Sequence, residues 1–157
     1  DLFTDSIFQL KNNLRIFTYE YDGYLSKIDS IKSYYEKSME LLCEDCMKRL
    51  FTGTWPVYTK AKDEPPAKYG SLAKVGNSLI SSGCSIDGTV NSSVLFRRVG
   101  ISAGAIINNC VVMQNSKIGE NAVLEHVILD KNTVISNGKI LKGTMDNPII
   151  VEKNQII

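Results

Sequence analysis

The chain has 157 residues, of which 43% are apolar and 22% charged, and its net charge is +1. These values are typical of a globular protein and give no indication of a nucleic-acid polymer or an anionic membrane as partner. No apolar run approaches the roughly 20 residues of a membrane span. The chain opens with polar, charged residues and with Asp rather than Met, so we expect a cytoplasmic protein and a piece of a longer one.

The composition changes near residue 62. Tyr, Phe, Lys and Glu are frequent before that point, whereas Gly, Ser, Asn, Val and Ile predominate after "KDEPPAKYG" (62–70). The Glu64-Pro65-Pro66 step predicts a stiff, extended crossing between two units. We therefore expect two domains, 1–62 and 63–157.

The first unit contains signals for both strand and helix. "RIFTYEYDGY" (15–24) has the composition of a strand, and "TWPVYT" (54–59) predicts a second short strand, with Pro56 favouring a sheet edge. Asp29 and Ser30 are cap residues before the run 31–51. In that run apolar residues spaced by three and four predict one helix with one buried face: Ile31, Tyr35, Met39, Leu42, Cys46 and Leu50.

Four cysteines are present: Cys43, Cys46, Cys84 and Cys110. Without an export signal, reduced thiols are expected. Cys43 and Cys46 form a C-x-x-C, but no second pair at metal-ligand spacing follows, and a structural zinc site needs four ligands. The sequence therefore favours buried thiols over zinc or redox chemistry.

The second unit is repetitive. Three consecutive windows of 17 residues (92–108, 109–125 and 126–142) agree column by column, with aliphatics at steps of 6, 6 and 5. This hexapeptide repeat predicts a parallel β-helix, in which three short strands and three tight corners make one triangular coil. The predicted inward aliphatics are Leu95, Ile101, Ile107, Val112, Ile118, Leu124, Leu129, Ile135 and Leu141. Small or β-branched residues two positions earlier should fit the narrow corners: Ser93, Val99, Ala105, Cys110, Ser116, Ala122, Val127 and Thr133.

The ends of the repeat depart from this regularity. "DGTVN" (87–91) is about two residues short, which predicts a tighter first coil, and "GTMDNP" (143–148) interrupts the pattern before "IIVEKNQII" (149–157), which we expect to begin a last coil. Residues that tolerate positive φ are predicted at the corners: Gly100, Gly104, Asn121 and Gly138.

Catalysis within the solenoid is one alternative. Many hexapeptide-repeat proteins are acyltransferases that use a histidine as general base. The single histidine, His126, shares a column with Ser92 and Asn109, so an ordinary exposed polar position explains it. Arg97 and Arg98 form a small basic spot that could contact an anion, although a solvated corner explains them better.

Three motifs in order carry a family resemblance. "YDGYLSKIDSIKSYYEKSMELL" (21–42), "WPVYT" (55–59) and "PPAKYGSLAKVGNSLISSGC" (65–84), followed by the solenoid, resemble the C-terminal portion of an ADP-glucose pyrophosphorylase (glucose-1-phosphate adenylyltransferase). The resemblance implies a doubly wound α/β nucleotidyltransferase domain followed by a left-handed β-helix. Residues 1–62 would then hold the end of the first domain and a helical linker.

The resemblance also implies a reaction. The family makes ADP-glucose and pyrophosphate from ATP and glucose 1-phosphate, for glycogen or starch synthesis. The family's glycine-rich nucleotide loop is not among these 157 residues, so we expect no catalysis and no cofactor in this chain by itself.

One motif departs from the family. The family has G-Y-W-x-D-V-G-T where this chain has "GYLSKIDS" (23–30), so Lys27 replaces the Asp that helps to hold the divalent cation. An ammonium group cannot ligate a cation. The resemblance therefore implies a degenerate sugar-phosphate motif at Gly23, Tyr24, Lys27 and Asp29, with no catalytic residue and no metal ligand. The alternative is that Asp29 substitutes as the ligand.

This departure resembles the regulatory-type paralogue of Gram-positive glycogen operons. The resemblance implies a weakly catalytic or non-catalytic subunit that forms a mixed tetramer with a catalytic ADP-glucose pyrophosphorylase subunit, the partner that would bind Mg²⁺. We expect the β-helix to act in assembly, in a homo- or hetero-oligomer, and in regulation. Two alternatives remain: a catalytically active subunit and a hexapeptide-repeat acyltransferase.

Overall fold

In the computed structural model, residues 2–51, 56–60 and 62–157 are described. A π-helical segment, Leu2–Ile7, continues into the short helix α1 (Phe8–Leu10). Two further helices follow, α2 (Ile31–Glu40) and α3 (Glu44–Leu50). Within these ranges, no helix has both the length and the apolar character needed to cross a bilayer.

Short parallel strands make up the rest of the regular structure. They are β1 (Lys68–Tyr69), β2 (Lys74–Gly76), β3 (Leu79–Ile80), β4 (Ser85–Ile86), β5 (Thr89–Asn91), β6 (Val94–Leu95), β7 (Gly100–Ile101), β8 (Ile106–Asn108), β9 (Val111–Val112), β10 (Lys117–Ile118), β11 (Val123–Glu125), β12 (Val127–Leu129), β13 (Val134–Ile135), β14 (Ile140–Lys142) and β15 (Ile149–Val151).

The strands form three sheets of five strands each. The first sheet has the order β1-β4-β7-β10-β13, the second β2-β5-β8-β11-β14 and the third β3-β6-β9-β12-β15. Successive strands along the chain thus belong to successive sheets, so the chain winds round a triangle and each strand pairs with the strand one coil before it. This is the mainly β, left-handed parallel β-helix that the hexapeptide repeat and the family resemblance predicted.

The core runs along the axis of the solenoid. Eight of the nine predicted inward aliphatics are at most 2% exposed, and Leu141, which lies in the last complete coil, is partly buried against them. All eight small or β-branched residues predicted for the corners are also buried. The prediction of which side chains point inward is therefore confirmed.

The second coil is shorter than the coils on either side of it. Lys68 pairs with Ser85 at a spacing of 17, whereas Ser85 pairs with Gly100 at a spacing of 15. Gly100 pairs with Lys117 in the next coil, at the regular spacing of 17. Gly88 lies at the shortened corner, where an added Cβ would meet the Ala105 carbonyl oxygen at 2.5 Å. The shortening predicted at 87–91 is therefore present, but it falls in the second coil and not in the first, and it depends on a residue without a side chain.

The last coil is longer. Val127 pairs with Ile149, at the same spacing of 22 that separates Asn132 from Asn154, because residues 143–148 form an extra loop between the two strands. The chain then returns to the solenoid, and a bridge joins Val134 to Ile156. The final coil predicted for 149–157 is confirmed.

The corners place many residues in the left-handed region. Gly104, Asn121 and Gly138 have positive φ, as predicted. Gly100 does not, because it lies in β7, and the left-handed position of that hexad falls two residues earlier on Arg98 (φ 58°). The prediction was wrong for Gly100. Among the residues that the structure describes, the other non-glycine residues with positive φ are Asn77, Ser92, Asn109, Asn115, His126, Asn132 and Asn154.

The strands predicted before the solenoid are absent from the described residues. Residues 15–24 and 56–59 have no regular structure, and Thr54 and Trp55 lie outside the described ranges. A strand needs a neighbouring strand to satisfy its backbone N–H and C=O groups. Every described strand belongs to the solenoid, so the strand-like composition of these segments has no pairing partner.

The single helix predicted over 31–51 is two helices. The N–H groups of Leu42 and Cys43 donate to the carbonyls three residues earlier, at 3.0 Å each, which tightens the last turn of α2. Cys43 is extended (φ −83°, ψ 122°), and α3 starts after it. The predicted stripe is therefore not one face: Tyr35 is buried but Ile31 is 53% exposed.

The cysteines divide in the same way. Cys84 and Cys110 are buried, as predicted, whereas Cys43 is exposed and Cys46 half-buried, so that prediction was wrong for the C-x-x-C.

At the start of the solenoid, the Gly83 N–H donates to the Pro65 carbonyl at 2.6 Å. The domain boundary at residues 62 and 63 stays a prediction.

Candidate functional site

Helix α2 packs on the outer face of the third sheet. Tyr35 lies against Val111 and Ile128, which point outward from β9 and β12 and are nevertheless buried. Outward residues of the first sheet, such as Ser85 and Lys117, are exposed. The sequence carries a signal for this difference, although the hexad pattern alone does not reveal it. Strands of the third sheet have paired aliphatics, one inward and one outward: Val94-Leu95, Val111-Val112 and Ile128-Leu129.

A hydrogen-bonded contact fixes α2 to one corner. The Tyr35 hydroxyl donates to the Asn109 carbonyl at 2.6 Å and lies 2.8 Å from His126 Nδ1. A hydroxyl has one proton, so its oxygen must accept from His126, which therefore carries a proton on Nδ1. Burial raises the pKa of Tyr35 to about 12. His126 is half-buried with φ 51°, so the prediction of an ordinary exposed position was wrong.

The first turn of α2 is capped and tied to the last coil. The Ser33 N–H donates to Ser30 Oγ at 3.0 Å, and the Ser30 N–H donates to Ser33 Oγ at 2.9 Å, a reciprocal capping box. The Lys32 ammonium lies 2.6 Å from the Asp146 carboxylate in the long loop, and this hydrogen bond lowers the pKa of Asp146. The start of α2 is thus held by its own cap and by the solenoid.

The segment 23–30 lies beside α2. Gly23 forms a bend, and the hydroxyl of Tyr24 donates to Glu40 Oε2 at 2.9 Å. Lys37 Nζ donates to the other Glu40 oxygen at 2.5 Å. The hydrogen bonds from Lys37 and Tyr24 lower the pKa of Glu40, and the bond to Glu40 raises the pKa of Tyr24. Tyr24 is therefore bound to the end of α2.

Lys27 and Asp29 form an ion pair. The Lys27 ammonium lies 3.0 Å from Asp29 Oδ2, and the two side chains are 84% and 56% exposed. The hydrogen bond from Lys27 lowers the pKa of Asp29. A carboxylate that already faces an ammonium group is a poor ligand for a divalent cation, because the cation would be repelled by the lysine. The donor set at this motif does not fit Mg²⁺.

The wider surroundings add no metal ligands. Across the described ranges, no group of three or more His, Cys, Asp and Glu side chains is placed to hold a metal ion. An apolar groove of about 530 Å³ lies between the motif and the third sheet, and its walls include Ile28, Ile31, Tyr34, Met113 and Ile150. Asp29 and Asp130 also line the groove, whereas Tyr24 and Lys27 do not.

Arg98 binds the linker. Its guanidinium contacts both carboxylate oxygens of Glu64, with Nε 2.7 Å from Oε2 and Nη2 2.6 Å from Oε1. The Glu64 side chain is 7% exposed. The Arg98 hydrogen bond lowers the pKa of Glu64. Arg97 is half-buried and lines a small pocket with Lys62 and Gln114. The anion contact predicted for Arg97 and Arg98 stays a prediction, with the charge of Arg98 already paired inside the chain.

The geometry defines a hexapeptide-repeat β-helix protein with a helix packed on one face of the solenoid. Residues 65–146 match the family model described as "GlmU-like, C-terminal hexapeptide". The chain belongs to that family.

Full-length relatives are similar over most of this chain. It is 42% identical over 143 residues to "Glycogen biosynthesis protein GlgD" of Bacillus subtilis (strain 168). The aligned region covers 91% of this chain and 42% of that protein. It is 35% identical over 133 residues to the proteins named "Glucose-1-phosphate adenylyltransferase" in Bacillus mycoides (strain KBAB4) and Bacillus anthracis, covering 85% of the chain and 35% of each. The chain thus spans well under half the length of these relatives.

Proposed function

We propose that this chain is the assembly and regulatory region of a glucose-1-phosphate adenylyltransferase subunit in glycogen (ADP-glucose) synthesis, and that the subunit is weakly catalytic or non-catalytic. The similarity to GlgD and to glucose-1-phosphate adenylyltransferases supports the pathway. The observation that carries the loss of catalysis is the ion pair between Lys27 and Asp29.

The charge at this motif is the basis of that proposal. The family resemblance places an acidic, cation-holding residue at position 27, and the lysine found there is neutralised by Asp29 at 3.0 Å. The pair has no net negative charge with which to hold a cation on nucleotide or sugar phosphates. Asp29 would have to leave Lys27 before it could act as the substitute ligand.

Regulation would act through a partner. The solenoid is complete through its predicted core, so the scaffold is retained although the motif has changed. A subunit of this kind can favour one conformation of a catalytic partner that binds Mg²⁺ and both substrates. We propose that this partner is a catalytic glucose-1-phosphate adenylyltransferase subunit and that the two form a mixed tetramer in the cytoplasm.

A reconstitution assay tests the proposal. The full-length subunit would be purified alone and together with the catalytic subunit of the same cells, and pyrophosphate release from ATP and glucose 1-phosphate would be measured with Mg²⁺. We expect little turnover from the subunit alone and a changed kcat or effector response in the mixture. High activity from the subunit alone would contradict the loss of catalysis. Absence of both co-purification and any kinetic effect would contradict the partnership.

Two substitutions sharpen the assay. Lys27→Asp restores the acidic residue but leaves Leu25 and Asp29 changed, so we expect no large gain in turnover. Lys131→Asp, a matched charge reversal at an exposed position of the solenoid, should behave as the unchanged subunit does. A gain of about a hundredfold from Lys27→Asp alone would show that the site is nearly intact, since this is the scale on which one catalytic electrostatic group acts.

Acyl transfer at His126 receives less support. Its Nδ1 is engaged with Tyr35, and this contact already serves to anchor α2. We expect no saturable binding of acetyl-CoA. Saturable binding that is lost in His126→Asn, a substitution that retains a residue suited to positive φ, would favour acyl transfer instead.

A further inference from the structure

The four thiols have very different surroundings. Cys84 and Cys110 are buried in the solenoid, and burial raises the pKa of both, that of Cys110 to about 12. Cys43 is exposed and Cys46 is half-buried. Because the thiolate is the reactive form, Cys84 and Cys110 should be inert, and the C-x-x-C pair carries whatever thiol reactivity the described chain has.

The two accessible cysteines are placed as an unequal pair. Cys43 has extended backbone at the junction between α2 and α3, and Cys46 lies in the first turn of α3. The N–H groups of Cys46 and Asp45 and the Cys46 thiol stabilise the Cys43 thiolate and so lower the pKa of Cys43. The same contact raises the pKa of Cys46. Cys43 is both the more exposed and the more acidic of the two thiols, so it is the better nucleophile, and Cys46 follows it by three residues at the start of α3.

Cys43 also borders a cavity. The space is about 330 Å³ and is lined in addition by Met39, Leu42, Asn109 and His126. This volume is within the range of small-molecule sites. Cys43 is thus exposed and adjoins a space that a small molecule can enter.

We propose that Cys43 and Cys46 form a reversible thiol–disulfide couple, in which Cys43 is the attacking thiol, Cys46 is the resolving thiol and the oxidant is a low-molecular-weight disulfide of the glutathione type. This couple does not depend on the proposed function.

The exchange balances in two steps. The Cys43 thiolate attacks one sulfur of the small disulfide, which forms a mixed disulfide on Cys43 and releases one small thiolate that takes up a proton. Cys46 loses its proton and attacks the Cys43 sulfur, which forms the Cys43–Cys46 bond and releases the second small thiolate. The two protein thiols lose two electrons in total, and the small disulfide gains them.

Mass spectrometry can follow each thiol separately. Trypsin should place Cys43 and Cys46 in peptide 38–48, Cys84 in 75–97 and Cys110 in 99–117. The folded protein would be equilibrated with oxidised and reduced glutathione, quenched in acid and alkylated. We expect peptide 38–48 to lose two hydrogens and escape alkylation, with Cys84 and Cys110 still reduced. The same protein unfolded in urea, in which all four thiols should react, controls for the oxidant.

Two single variants assign the order of attack. In Cys46→Ser the mixed disulfide cannot be resolved, so Cys43 should retain one glutathione. In Cys43→Ser we expect Cys46 to react at least about tenfold more slowly, because the more acidic thiol has been removed. Peptide 38–48 that stays fully reduced in excess oxidised glutathione would overturn the proposal. Equal rates of glutathione uptake in the two variants would overturn the assignment of Cys43 as the attacking thiol.

Discussion

The solenoid and the segment before it bury their apolar side chains in different ways. From Ile86 to Ile135, the inward aliphatics are at most 2% exposed. In residues 2–51 only Tyr35 and Ser38 are buried among the described side chains, whereas Phe17, Tyr19 and Leu25 are 82%, 88% and 85% exposed. Each coil obtains its core from the coils next to it, while α2 obtains its core from the third sheet.

The difference implies two levels of stability. Repeats that contact only their neighbours add stability through each interface, so the solenoid should unfold as a stacked unit. Helix α2 is attached to the solenoid mainly through Tyr35, with Tyr34 and Met39 packed beside it, and through Lys32. Segments with few buried contacts open at lower free energy than the core. We therefore expect α2 to open separately, without loss of the solenoid.

The largest effect should come from a charge inside the solenoid. Ile118 is 1% exposed in β10, which pairs with β7 and β13 in the first sheet, so Ile118→Asp buries a carboxylate without a partner. We expect a loss of about 4 kcal/mol or more in the free energy of unfolding, measured by urea titration. Lys117→Asp, one residue earlier and exposed, should change it by less than about 0.5 kcal/mol. Equal effects at the two positions would contradict the inward and outward assignment.

A smaller effect should be confined to α2. Tyr35→Ala removes a buried ring, at a cost of about 3–5 kcal/mol to the packing of α2, and Tyr35→Phe removes only the hydroxyl, at about 1–2 kcal/mol. Hydrogen exchange should accelerate over 31–40 in both variants and remain slow in the solenoid strands. Tyr19→Phe, at an exposed ring, is the matched control. Acceleration throughout the solenoid would show that the two regions unfold together.

A third prediction concerns alkaline pH. Burial raises the pKa of Cys110 from 9.0 to about 12, so the folded state retains a proton that the unfolded state loses. The protonated Cys110 thiol therefore stabilises the folded state fully below pH 9, and this contribution to the free energy of unfolding is lost as pH rises from 9 to 12. The expected loss is at most about 1.4 kcal/mol per pH unit. Cys110→Ala should reduce this slope, because Ala105 and Ala122 already fill equivalent corners, whereas Cys43→Ala should not. An unchanged slope in Cys110→Ala would assign the alkaline loss to other groups.

The smallest effects should appear at the corners. Ser92 has φ 44°, a conformation that asparagine tolerates better than a β-branched residue. Ser92→Asn should stabilise by up to about 0.5 kcal/mol and Ser92→Val should destabilise by about 1–2 kcal/mol. Ser85→Val, at an exposed strand position of the first sheet, should be neutral or slightly stabilising. Thermal unfolding would measure the stability of all three variants. If Ser85→Val were also destabilised, side-chain size rather than backbone conformation would explain the cost of valine at residue 92.

The fold of the solenoid was predictable because its information is local and repeated. A hexad fixes which residue points inward, and the repeat length then fixes the strand that pairs with it, as Lys117 with Val134 shows. The prediction for Gly100 was wrong because glycine is frequent at corners but is not confined to them. The left-handed corner position of that hexad is Arg98, and the equivalent positions of the next two coils are Asn115 and Asn132.

The candidate site was less predictable because its contacts are long-range. The pairing of Tyr35 with His126 joins residues 91 positions apart, and no periodicity connects them. The break between α2 and α3 could not be predicted from the apolar spacing, which continues across it although the backbone turns at Cys43. The composition of 15–24 indicates a local tendency to extend, but strand formation requires a partner that the described chain does not supply.

The unequal coils give the solenoid a unique alignment. If every coil had the same length, the chain could stack one whole coil out of step during folding and still bury an equivalent row of aliphatics. The corner at Gly88 is short and the loop 143–148 is an insertion, so spacings of 15, 17 and 22 occur along one axis. A slipped chain would place a full-length corner where only Gly88 fits, against the Ala105 carbonyl. The coils of unusual length thus make every slipped alignment less stable than the native one. Refolding should therefore converge on a single register.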